Sequence, residues 1–238
     1  MIGLGTIVNV CAIAAGGLLG CCVGRFFSDQ MQKTLLSACG IMVIFIGIGG
    51  TMQQMLKVEG GSLAAGGTMM MMISLLVGTI IGSLLNLEAR IEQFGEWLKR
   101  KTGHDSDNAF VGAFVSASLT VCVGAMAIIG SIDDGIYANH TVLFTKAIID
   151  FAIIITMASV LGIGTAFAAI PVGILQGLVT ALAHWAAPLM TDAAMSNLSY
   201  VGDILITCVG INLLFPGKIK VANMLPALVI AIAWAYIT

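Results

Sequence analysis

Charge is what this chain has least of. Its 238 residues include 10 Lys or Arg and 12 Asp or Glu, 9% in all, where a soluble domain keeps about a quarter. So few charges cannot coat a water-facing surface. No Lys/Arg-rich tract is present, which excludes a nucleic-acid partner. No CxxC pair is present, and the three histidines are scattered. The six cysteines, Cys11, Cys21, Cys22, Cys39, Cys122 and Cys208, all fall in apolar runs. They read as small core residues, with no disulfide framework and no metal site. Nucleotide loops are missing too. "GTIIGS" lacks the lysine of a phosphate-binding loop, and "GIGTAFA" sits at the end of an apolar run, so no cofactor is expected. The N-terminus has no basic region, and its apolar run is too long for a cleaved signal peptide.

What the chain does have is hydrocarbon. Hydrophobic residues make up 59%, and the mean hydropathy is +1.05. Several runs reach about 18 residues or more, enough to cross a bilayer as a helix. The fold class is therefore all-α: a polytopic transmembrane helix bundle forming one integral domain. Eight spans are read at about 2–24, 35–55, 68–86, 109–130, 141–163, 166–187, 198–215 and 219–237. Folding 164–187 into a re-entrant segment would give seven. Eight places Arg25, Lys33, Arg90, Lys99, Arg100, Lys101, Lys218 and Lys220 on one side, which the positive-inside rule makes cytoplasmic. Both termini then face outward.

One segment is not a span. "LEARIEQFGEWLKRK", 87–101, sets Leu87, Ile91, Phe94 and Leu98 on one helical face. Its last turn is basic, which suits a helix C-terminus. An amphipathic helix on the cytoplasmic interface is expected.

Small residues recur every four positions. The first span has Gly16, Gly20 and Gly24, and the third has Ser74, Gly78 and Gly82. The fourth has Gly112, Ser116, Thr120 and Gly124, and the sixth has Gly173 and Gly177. Such stripes let backbones approach where lipid supplies no hydrophobic drive between helices. They serve packing within one chain or in a homo-oligomer.

The stretches "GTIVN", "LEARIEQFGEWL", "SASLTVCVGAMAIIGSIDDG" and "VGINLL…KIKVANMLPAL" resemble the bacterial membrane-protein family catalogued as domain of unknown function 554. The resemblance spans essentially the whole chain. It implies a polytopic bacterial inner-membrane protein and implies no activity and no functional residues.

The residues that bear on function are the intramembrane polar groups. A charge at bilayer depth costs roughly 2.5–3.5 kcal/mol on insertion scales. At about 1.5 Å per residue, Lys146 lies about 6 Å inside the fifth span and Asp150 about 12 Å. The two share a helix face. The lysine stem can snorkel to the outer interface; the aspartate cannot. The pair is either a structural staple or an aqueous site in which Asp150 binds a proton or cation. Asn9, Ser116, Ser118, Thr120, Gln176, Asp203, Asn212 and Asn223 are the polar groups placed to surround it. Asp133 and Asp134 read as solvated turn residues, and His184 as an interfacial residue. Pro226 reads as a kink in the eighth span. A membrane protease is disfavoured, since Tyr200 stands at the first glycine that a GxGD motif needs. The expected function is a small non-enzymatic transporter or channel in the bilayer for a small solute or monovalent cation. A membrane scaffold or a lipid or stress sensor is the alternative.

Overall fold

The computed structural model describes residues 1–59, 62–104, 107–122 and 125–237. It is a helical bundle, and six helical segments are long and apolar enough to cross a membrane. These are α1 (Leu4–Gly24), α2 (Asp29–Met55), α3 (Thr68–Leu85), α7 (Thr141–Leu161), a segment over 163–181 ending in α8 (Ala169–Ala181), and α10 (Asp192–Leu214). A 3₁₀ turn, Ile163–Ala168, leads into α8. A short helix, α9 (Ala183–Ala186), follows it.

The other two expected spans are not single helices. In place of 109–130 stand α5 (Phe110–Cys122) and α6 (Ala125–Tyr137), bent by 62° relative to each other. In place of 219–237 a 3₁₀ turn, Val221–Met224, leads into the nine-residue α11 (Pro226–Trp234). Pro226 does not kink a helix there. It opens one, at the position where its missing N–H costs nothing. The amphipathic segment forms α4 (Leu87–Lys101) with the expected bounds. Its Leu98 is buried with Phe110 and Phe114 of α5, Phe94 stacks on Trp97 at 5.6 Å, and Trp97 remains exposed. Between α2 and α3 lies an antiparallel pair of strands, β1 (Leu56–Glu59) and β2 (Ser62–Ala65).

The glycine stripes set the packing. A side chain at Gly20 or Gly24 of α1 would strike the α7 backbone at Ile155 or Ser159, and one at Gly16 would press on Phe151. Those contacts advance together along both helices, so α1 and α7 run parallel. Gly78 and Gly82 of α3 meet Ala227 and Asn223, and Gly40 and Gly47 of α2 meet α10 near Gly210 and Asp203. Both of those pairs run antiparallel. Gly173 of α8 meets Val10. The stripes on α1 and α3 are thus consumed within one chain and leave those faces unavailable to a second copy. A Cβ at Gly112 or Gly177 would meet no described atom within 4 Å, and Gly124 lies outside the described residues.

Candidate functional site

Two polar knots join α1 to the second half of the chain. The first is centred on Asp150, in the middle of α7. The Lys146 ammonium donates to both its oxygens, at 2.8 and 2.7 Å, and to the backbone carbonyl of Val121 at 2.9 Å. Asn9 of α1 donates to the same carboxylate at 3.1 Å. Val121 lies in the last turn of α5, where carbonyls have no partner within the helix. A cation there also complements the negative end of the helix dipole. Lys146 therefore does not snorkel outward. It turns inward to cap an interrupted helix, and Asp150 neutralises it. Both are buried, at 7% and 3% exposure.

The second knot centres on Asp134, which is fully buried. It is not a solvated turn residue. Its carboxylate accepts the backbone N–H of Gly3 and of Gly5 at 3.1 Å each, and pairs with His140 Nδ1 at 2.9 Å. An acidic group at these free amides suits the positive end of α1. The sequence carries a signal for this site: a histidine six residues after the aspartate, in a chain with few charges of any kind.

Between and beside the knots lie buried polar atoms that make no hydrogen bond among the described residues. They are Thr6 Oγ1, Asn9 Oδ1, Ser118 Oγ, both amide atoms of Gln176, and Thr180 Oγ1. Ala166 packs on Gly17 and Gly173 on Val10, so α8 runs antiparallel to α1. That register puts Gln176 level with Thr6 and Thr180 level with Gly3.

A cavity of about 460 Å³ opens at the end of the bundle where α4 lies. Its walls come from α4, α5, α10 and the connection 216–220, with Leu36 and Leu161 contributed by the ends of α2 and α7. Ser116 and Asn212 line it. Glu88, Glu92 and Lys220 sit among its lining groups, and Leu119 is the lining residue furthest along α5. Neither Asp150 nor Lys146 lines it, so the polar candidates do not all share this cavity. Val121 nevertheless lies two residues past Leu119, about 3 Å along the helix.

The remaining candidates are dispersed. Asn212 clamps the 216–220 connection by donating to Ile219 O at 2.6 Å and accepting from Ile219 N at 2.9 Å. Asn223 accepts the Glu88 N–H at 2.8 Å, while Glu88 Oε2 accepts the Ala222 N–H at 2.9 Å. That reciprocal pair ties α4 to the turn before α11. Burial pushes the Glu88 carboxyl above its ordinary value. The Ala222 N–H and Lys220 pull it back, and Glu92 adds to the rise. Thr120 donates to Ser116 O. His184 and Trp185 are exposed. Asp203 lies half-buried against α2. The hydrogen bonds of Asp150 go to Lys146 and Asn9, so no aspartate dyad is formed with Asp203.

No solved structure matches the chain. It is similar to an uncharacterised membrane protein of Bacillus subtilis, YdfK, with 26% identity over 95% of this chain and 93% of the relative. It is also similar to an uncharacterised protein of Escherichia coli, YqgA, with 27% identity over 96% of this chain and 94% of the relative. The sequence profile of the protein family of unknown function DUF554 matches residues 4–236. The chain accordingly belongs to that family, a family of membrane proteins.

Proposed function

We propose that this protein is a small transporter or channel of the bacterial inner membrane, carrying a small solute or monovalent cation with coupling through Asp150. The observation that carries the reading is the interrupted helix α5–α6, whose end is capped by Lys146 and balanced by Asp150. Broken helices with charged groups at the break are how transporters build sites at bilayer depth. The 460 Å³ cavity is the vestibule, with Leu119 separating it from the knot. The unpartnered polar atoms at Thr6, Asn9, Gln176 and Thr180 line the continuation toward the other end. There Asp134, Gly3, Gly5 and His140 hold the exit closed. Eight of the ten Lys and Arg residues follow or precede helix ends on the vestibule side, which supports a cytoplasmic vestibule and outward termini.

The polar groups along this line are mostly neutral, which favours a neutral or zwitterionic solute or a monovalent cation. The test is uptake into proteoliposomes across such a panel. One class is expected to accumulate above protein-free vesicles. Asp150→Asn should slow it by about tenfold or more, the factor that 1.4 kcal/mol represents. Folded Asp150→Asn protein working at the wild-type rate would remove Asp150 from the mechanism. A scaffold or sensor would instead use α4, seated on α5 with Trp97 exposed. It would give no uptake for any class.

A further inference from the structure

The structure contains a second intramembrane carboxyl that no knot uses. Asp203 is the twelfth of the 23 residues of α10, about 17 Å from the helix start. The helix begins at Asp192, six residues before the expected span, so Asp203 sits mid-helix and not near an interface. Its carboxylate makes no hydrogen bond and no ion pair with any described residue.

The space it fills is made by glycine. A Cβ at Gly50 of α2 would overlap both carboxylate oxygens, and one at Gly47 would overlap Thr207 Oγ1. Position 50 can therefore hold no side chain while Asp203 keeps this place. The neighbours are polar but neutral. Two turns nearer the start of α10, Ser196 donates to Gln54 Oε1 at 2.8 Å. One turn further in, Thr207 donates to the Asp203 backbone carbonyl at 3.0 Å. On α2, Thr51 donates to Gly47 O at 2.8 Å.

No charged side chain among the described residues forms an ion pair with Asp203. The cation of α2, Lys33, lies near its opposite end, and α3 and α11 contain no charged residue. Among the groups of α6, Asp134 is committed to α1 and His140. On α10 itself, Tyr200 is buried with its ring against Gly67.

An unpaired carboxylate at this depth is costly. A metal ion would not relieve the cost. Hard cations need several oxygen ligands. No cluster of metal-binding side chains exists among the described residues. A proton relieves the cost alone. We propose that Asp203 is a proton-binding site in the α2–α10 seam, a carboxyl group that takes up and releases one proton with Gln54 and Ser196 on its path toward the start of α10. The site stands whether or not a solute passes Asp150. In a transporter it would supply the proton of a coupled cycle.

The test uses the whole protein in lipid vesicles and a hydrophobic carbodiimide. This reagent adds a protonated carboxyl across its C=N bond, the acid proton going to nitrogen and the carboxylate oxygen to carbon. Peptide mass spectrometry then locates the adduct. Label is expected on Asp203, falling about tenfold per pH unit above its midpoint, as one titrating group requires. Asp150 should stay unlabelled, and Asp203→Asn protein should lose the adduct. Wild-type protein in which Asp203 is never labelled, or is labelled equally at every pH, would overturn the proposal. Neither result depends on a variant folding or on a substrate being known.

Discussion

At Lys146 the ammonium meets three oxygen atoms, two from Asp150 and one from the end of α5. Breaking a buried pair on one side strands the other charge, which costs about 3–5 kcal/mol. Lys146→Met should therefore lower the melting temperature in detergent far more than Lys146→Met combined with Asp150→Asn. Equal losses in the two proteins would mean the pair is not coupled. Asp134 makes a parallel case at the start of α1. Asp134→Ala leaves the Gly3 and Gly5 amides unpaired, a loss of about 1–3 kcal/mol for each buried group left unsatisfied. Hydrogen exchange should rise at residues 3 to 7 and stay unchanged in α3; protection that persists at residues 3 to 7 would contradict the role given to Asp134. The Lys146–Asp150 pair was legible in the sequence, because two charges four apart stand out in an apolar run. The third partner was not, since Val121 contributes a backbone carbonyl that no side-chain pattern reveals. "DDG" has turn chemistry, which points Asp134 to solvent, while its partners are amides 129 and 131 positions away.

Among the elements, α4 was read with its bounds intact, because its amphipathic face differs sharply from the spans around it. Helix α10 starts at Asp192, before the expected span. "TDAAMSN" lowers the hydropathy there, yet Thr191 caps the helix by accepting the Ala194 N–H at 3.2 Å, a signal that local chemistry offers and a hydropathy window averages away. The division of the fourth span was not legible either, since "TVCVGAMAIIG" holds no proline or charge to mark it. The two strands carried a hint in the Gly-Gly between two short runs. Gly82 is where α3 touches the turn before α11. Gly82→Ala should cost about 1–3 kcal/mol by overpacking against Asn223, whereas Gly177→Ala, with open space around it, should be neutral. Similar melting temperatures for the two would place the contact elsewhere. Helix α4 also brings a pH dependence. The folded state raises the Glu88 pKa above 4.5, so it holds the proton more tightly than the unfolded chain. That contribution is full below 4.5 and is lost as the pH rises through the raised value. Wild-type stability should fall relative to Glu88→Gln across that window, and a constant difference between the two would contradict it.

For the molecule as a whole, the 460 Å³ cavity gathers the ends of α2, α5, α7 and α10 beside α4, with Lys220 in its lining. A periplasmic reporter joined after α11 should be active and a cytoplasmic one silent if the C-terminus faces outward; the reverse pattern would invert the proposed orientation. The parallel pairing of α1 with α7 sets a further demand, one that concerns synthesis. Asn9 and the Asp150 it binds are 141 positions apart. Helix α1 precedes α7 in the chain and must wait in the lipid until this permanent neighbour has been translated. During that interval its amide side chain and first-turn N–H groups lack their final acceptors. A nascent chain stalled before Thr141 has no stable place for α1, so ribosome arrest there should yield a product cleared by membrane proteases.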